Sequence, residues 1–269
     1  MKIAIQEDML SGQSIVAKFE QAQTLGADGI EFWGRGLAAK VPDIVEASLK
    51  TGVPAAAVNH GRQSRFLAPD AAEREVALAE LRDSICCAAD IGAAGVIFVP
   101  HFDGPAIPDL SPWMTASELE LELLYTHLRT LEDFAMSMGV LLFVEPVNRY
   151  ETHLLNRVNQ AAALVRRLNH PSVQVVADLF HMALEEDNIA AAIRANADKV
   201  GHVHLADSNR RLPGQGTTDF AAAAAALTAI NFNGWAAYEC GAPGANGHRA
   251  AYYVQELPAS IAYLRERGW

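Results

Sequence analysis

VQVVADLFHMALEEDNIAAAIRANADKVGHVH, residues 173–204, runs from one short apolar β-type segment through a helical stretch to another. Strand, helix and parallel strand within about 30 residues form the βαβ unit, because parallel strands need a crossover connection. The same alternation extends to both ends of the chain. Strand candidates are KIAIQ (2–6), DGIEF (28–32), VPAAAV (53–58), AGVIFV (94–99), VLLFV (140–144), VQVVA (173–177), VGHVH (200–204) and GWAAYE (234–239). Between them, apolar residues recur three and four apart, as at Leu78, Leu81 and Ile85, or Leu121, Leu124, Leu128, Leu131 and Ala135. Turns at Gly26, Gly52, Gly92 and Gly139 read as helix ends. Eight such units argue for closure rather than an open sheet. The chain has 269 residues, an ordinary length for one α/β (β/α)8 TIM barrel, and no linker divides it, so one domain over 1–269 is expected. The longest irregular segment, HFDGPAIPDLSPW (101–113), follows the fourth strand as a rim or lid.

Four of the runs end on a side chain that binds metals: Glu145, Asp178, His204 and Glu239. A barrel gathers the C-terminal ends of its strands around one mouth, so these residues should converge. The intervals between them are 33, 26 and 35 residues, each close to one βα repeat of about 30. Singly, each has an ordinary structural role: Asp178 as a helix cap, Glu145 and Glu239 as solvated strand ends, His204 as a satisfied barrel histidine. Together, three carboxylates and one imidazole form a hard, oxygen-rich donor set suited to Mn²⁺ or Mg²⁺, with Co²⁺ a substitute. Four protein ligands leave about two octahedral positions for adjacent oxygens of a substrate such as an α-hydroxyketone. His202 faces the same way as His204 and reads as barrel filling or as support for the ligands.

Hydrophobic residues make up 51% and charged residues 20%, a globular balance, and the net charge of −11 repels nucleic acid and anionic membranes. MKIAIQEDML lacks the basic start and apolar centre of a signal peptide, which gives a cytoplasmic expectation. Cys86, Cys87 and Cys240 have neither disulfide nor zinc-ribbon spacing. Aromatic faces near the mouth suit the apolar side of a sugar, and Trp113, Trp33 and Phe180 are the candidates. His60 and His101 end strands three and four, in reach of substrate hydroxyls.

VEPVNRYETHLLN (144–156), ADLFHMALEE (177–186), GHVHLADSNRRLPGQG (201–216) and YEC (238–240) resemble the sugar-phosphate isomerase/epimerase superfamily, the xylose isomerase-like TIM barrels. Within it the similarity is to ketose 3-epimerases of the tagatose/psicose type. The resemblance implies the same four metal ligands. It also implies substrate contacts at Glu151, His181 and Arg210, and a catalytic pair, Glu145 and Glu239, that inverts C3 of a ketose through an enediolate. Asp207 departs from the pattern, since such epimerases often carry glutamate there. No glycine-rich phosphate cradle is evident, which favours an unphosphorylated sugar.

The same site chemistry would serve an aldose–ketose or hydroxypyruvate isomerase, or an inosose or dehydroshikimate dehydratase. An endonuclease IV-like phosphodiesterase would need more histidines and a basic groove. A non-catalytic sugar binder would share the fold alone. The expected partner is a small sugar, with homo-oligomerisation through the C-terminal stretch open.

Overall fold

The computed structural model describes residues 1–62, 65–242 and 249–269. Its strands are β1 (Lys2–Gln6), β2 (Gly29–Trp33), β3 (Ala55–Asn59), β4 (Gly95–Phe98), β5 (Leu141–Val144), β6 (Val173–Asp178), β7 (Val200–Leu205) and β8 (Trp235–Tyr238). They are all parallel, each pairs with the next, and β8 pairs back onto β1 to close the barrel. Around it run α1 (Ile15–Leu25), α2 (Val41–Thr51), α3 (Ala71–Asp90), α4 (Ala116–Ser137), α5 (Val158–Leu168), α6 (Leu179–Glu185), α7 (Ile189–Ala195), α8 (Phe220–Ala229) and α9 (Arg249–Arg265).

All eight expected strands form, with ends that shift for local reasons. β3 starts at Ala55 rather than Val53 because Pro54 has no N–H for the ladder, although its carbonyl accepts from Ile30 N at 3.1 Å. Asp28 stays outside β2, its carboxylate accepting from Ile3 N at 2.7 Å and facing Arg265 at 2.8 Å. The β6–β7 crossover is two short helices rather than one. Glu186 leaves the helical region after α6, and the Asn188 side chain caps α7 by accepting from Ala191 N. Gly26 and Gly52 end α1 and α2 at φ of 72° and 75°, where a side chain would be strained.

Inside the barrel, Ala57, Ile97, Phe143 and Val176 make a fully buried layer. Small residues make room for large ones there: a Cβ on Gly95 would lie 2.4 Å from the Phe143 ring. Above this layer the inward positions turn polar, and the chemistry starts there. The outward positions of the strands pack against the stripes on α3 and α4, including Leu78, Leu81, Leu124, Leu128 and Leu131.

The long segment between β4 and α4 forms no helix or strand but is well tied. Buried Glu120 accepts from Ala106 N at 2.6 Å and Ile107 N at 3.2 Å, and meets His153 Nε2 at 2.5 Å. Asp103 N donates to Glu151 O at 2.7 Å, which joins this loop to the one after β5. Among the described residues no helix is long and apolar enough to cross a membrane.

Candidate active site

Glu145 follows β5, Asp178 ends β6, His204 lies in β7 and Glu239 follows β8. Register brings them to one height: Asp178 pairs with His204, His204 pairs with Ala237, and Glu239 lies two residues on, back on the inward face. One donor atom from each of the four lies within 4.8 Å of the others. Nδ1 of His204 is the centre, 2.7 Å from Glu145 Oε1, 3.4 Å from Glu239 Oε2 and 3.7 Å from Asp178 Oδ2. Asp178 also fills its capping role. Its Oδ1 accepts from Phe180 N and His181 N, which leaves Oδ2 for the cluster.

Strands β1 to β3 supply groups that the sequence reading assigned no role. Glu31 is fully buried, with Oε1 3.3 Å from His204 Nε2 and Oε2 3.0 Å from His202 Nε2. Gln6 Nε2 donates to Glu31 Oε1 at 2.9 Å and to Glu239 Oε1 at 3.2 Å, and Asn59 Nδ2 donates to Glu239 Oε1 at 2.9 Å. The available signal was a charge inside an apolar strand, DGIEF, since charges are rarely buried without partners.

The electrostatics are strained. Burial opposes charge on Glu31 and on Asp178, yet the carboxyl of Glu31, beside His204 and His202, and that of Asp178, beside His181 and His204, are held well below the ordinary range. Burial also opposes charge on His204, but Glu239, Glu145 and Glu31 outweigh it and raise the imidazole well above its ordinary value. Glu239 is pushed up to about 8 by burial, against the pull of His204 and with the added repulsion of Glu145 and Asp178. Burial lowers His202, which favours its neutral form. A compact centre with more carboxylates than bases is suited to a divalent cation. His204 fits that role, because a metal-binding imidazole typically turns its other nitrogen to a carboxylate, as Nε2 does to Glu31.

The cluster opens into a cavity of about 190 Å³ whose lining includes Glu145, Glu239, His181, Glu151, Arg210 and Asn59. Glu151 is held by Arg210 at 2.6 Å and by Arg62 at 3.1 Å. The alternative of a Glu151–Arg210 loop pair therefore holds together with their place in the cavity wall. His181 Nδ1 accepts from Asn148 N at 3.1 Å, so the ring presents Nε2–H towards Asp178 Oδ2 at 3.7 Å. Phe180 does not line this cavity but lies behind Arg210, 5.0 Å from its guanidinium.

The sequence reading needs correction at two further positions. Trp113 is 72% exposed and outside the cavity lining, because Leu110 to Met114 closes on itself as a turn at the far side of the Glu120 anchor. Phe102, from the same loop, lines the cavity together with Trp33. His60 faces away from the cavity, with Nδ1 2.9 Å from Ser84 Oγ on α3, because strand alternation puts Asn59 rather than His60 inward. His101 Nε2 lies 2.7 Å from Gly104 O.

Arg210 itself is set by Asp207. Buried Asp207 accepts from four backbone amides, those of Ser208, Gly214, Gly216 and Thr218, at 2.8 to 3.0 Å. This anchor folds the loop that carries Arg210, whose backbone sits at a φ of 62°. Asp207→Ala should leave those amides unpartnered and cost about 3 kcal/mol, a melting temperature lower by roughly 5–10 °C. Calorimetry checks this, and a melt within about 2 °C of wild type would contradict it.

Such a barrel, with three carboxylates and an imidazole at its mouth, is the class the fold and cluster define. Residues 19–266 match the family model described as "Xylose isomerase-like TIM barrel", and the chain belongs to that family. It is 32% identical over 268 residues, 98% of this chain and 99% of the relative, to a 3-dehydro-D-guloside 4-epimerase of Escherichia coli. A D-psicose 3-epimerase of Enterocloster bolteae is 40% identical over 113 residues, 42% of this chain and 38% of that enzyme. A crystal structure of a 3-keto-D-glucoside 4-epimerase from E. coli superposes with a TM-score of 0.87 at 29% identity, covering 99% of each chain. The protein is an enzyme of the isomerase class.

Proposed function

We propose that this enzyme inverts the stereocentre next to the keto group of a sugar, with Glu145 and Glu239 carrying the proton on either side of that carbon. The observation that carries this reading is that the two carboxylates, from β5 and β8, reach the same small cavity and the same imidazole nitrogen. A divalent cation, Mn²⁺ in our reading, held by Glu145, Asp178, His204 and Glu239 would supply Lewis-acid polarisation of the carbonyl.

The chain's own groups then divide the remaining work. Gln6 and Asn59 donate to one oxygen of Glu239, which leaves its other oxygen directed at the cluster. Glu145 removes or returns a proton from its side of the cavity and Glu239 from the other, each as acid or base according to the epimer bound. His181 Nε2–H, Glu151 and Arg210 hold the substrate's hydroxyls, and Trp33 and Phe102 cover its apolar face. The surroundings are cytoplasmic in this reading.

Our sequence reading puts the keto group at C2 and the inversion at C3. Similarity over the whole chain to a 3-dehydro-D-guloside 4-epimerase favours a second reading, with the keto group at C3 and inversion at C4. Both use proton transfer next to a carbonyl. Incubating the Mn²⁺-loaded enzyme in D2O with free ketoses and with 3-keto glycosides separates them by NMR. Deuterium at C3 of a ketose supports the first, deuterium at C4 of a 3-keto glycoside the second, and loss of water from the substrate or absence of exchange contradicts both.

Glu31 seats His204 in this scheme, so Glu31→Gln should lower divalent-cation affinity about 10- to 100-fold. Titration calorimetry reads this directly, and unchanged affinity would assign Glu31 to packing alone.

A further inference from the structure

A second chamber of about 420 Å³ adjoins the catalytic cavity, lined among the described residues by Arg62, Arg65, Ala68, His101, Phe102 and Pro105. It is the larger of the two. Arg62 and Phe102 line both, and the Arg62 guanidinium lies 3.8 Å from the centre of the Phe102 ring, so this stacked pair stands at the boundary. The inner cavity holds roughly six waters' worth of liquid, at about 30 Å³ each, and suits one small sugar. A free monosaccharide would leave the outer chamber unused.

We propose that the substrate is bipartite: a keto sugar in the inner cavity, joined through a glycosidic oxygen to a second, uncharged ring that lodges in the outer chamber. This rests on the epimerase reading above and specifies its substrate. Phe102 and Pro105 give the chamber apolar surfaces on which a ring can lie, Arg62 and Arg65 supply donors for hydroxyls around its edge, and His101, whose Nε2–H is taken by Gly104 O, offers Nδ1 as an acceptor. A neutral ring fits better than a phosphate because both guanidinium groups already face carboxylates, Arg62 facing Glu151 at 3.1 Å and Arg65 facing Glu73 at 2.5 Å. The link is physical as well as spatial. Arg62 reaches Glu151, and Glu151 holds Arg210, so a ring stacked at the boundary bears on groups of the inner wall.

The test compares 3-keto hexosides that carry methyl, phenyl or glucosyl aglycones in D2O with the Mn²⁺-loaded enzyme. Expected is a kcat/KM for the phenyl and glucosyl substrates at least about tenfold above that for the methyl one. Ala106 lines only the outer chamber, and Ala106→Trp should remove that advantage while the methyl glycoside keeps its wild-type rate. Pro105→Trp, on the exposed rim of the same chamber, should act alike and serves if the first variant folds poorly. Equal kcat/KM across the three aglycones, or equal losses for all three in the tryptophan variants, would overturn the second-ring proposal while leaving the epimerase reading intact. Exchange confined to free ketoses would do the same. Absence of exchange with every sugar would overturn both.

Discussion

Glu239→Gln should abolish deuterium uptake at the substrate carbon and lower kcat by about 10³-fold or more, within the range that a positioned acid or base contributes. The same variant should fold and melt no lower than wild type in cation-free buffer. The reason lies in the environment of Glu239. Burial and the neighbouring Glu145 and Asp178 push its carboxyl up to about 8, so at neutral pH the cation-free protein already holds it as the acid. An uncharged amide of the same shape reproduces that form. It can still accept from Gln6 and Asn59, which bond to Glu239 Oε1 at 3.2 and 2.9 Å. Activity and stability therefore move separately in this account. A variant that lost stability but kept solvent exchange would make Glu239 a structural residue.

Mn²⁺ should raise the melting temperature of chelator-treated protein by roughly 8–15 °C at a thousandfold excess over Kd, since such occupancy adds about 4 kcal/mol. Its affinity should also depend on pH. Glu239 is raised above its unfolded value, so between about 4.5 and about 8 the cation-free fold carries a proton there that the unfolded chain does not. The contribution of this group to stability is present at low pH and falls as pH rises through that window. Cation binding needs the carboxylate, so affinity rises over the same window. His204 is raised as well and must give up a proton before Nδ1 can bind a cation. Loading at neutral pH should thus release between one and two protons, read by calorimetry in buffers of different ionisation enthalpy. Affinity that falls with pH, or binding without proton release, would contradict this arrangement.

The barrel was legible in the sequence because buried parallel strands are short apolar runs with turns on either side, and β1 matches KIAIQ (2–6) without adjustment. The cluster was legible for a related reason. Its four members sit at or beside strand ends, where a polar residue closing an apolar run is conspicuous, and the ladder register brings them together. Glu31 was not, because the reading of DGIEF weighed its hydrophobicity and passed over the charge between Ile30 and Phe32. Gln6 and Asn59 close their strands with neutral side chains, and only the partner Glu239, more than 170 residues away, gives them a function.

The loop residues divided by a different rule. Glu151, His181 and Arg210 follow strand ends within a few residues and reach the cavity. Trp113 lies at the end of a long irregular segment, and where such a segment points depends on anchors outside it that no local pattern announces, here Glu120 on α4. Asp207 shows the converse. A residue that departs from the family pattern turns out to hold four amides of the loop that carries Arg210.

Anomalous diffraction at the manganese edge from Mn²⁺-soaked crystals tests the central claim most directly. The account predicts one strong peak among Glu145, Asp178, His204 Nδ1 and Glu239, about 2.0–2.3 Å from a donor atom of each. A map with no peak there, or with the ion bound only elsewhere on the protein, would contradict it.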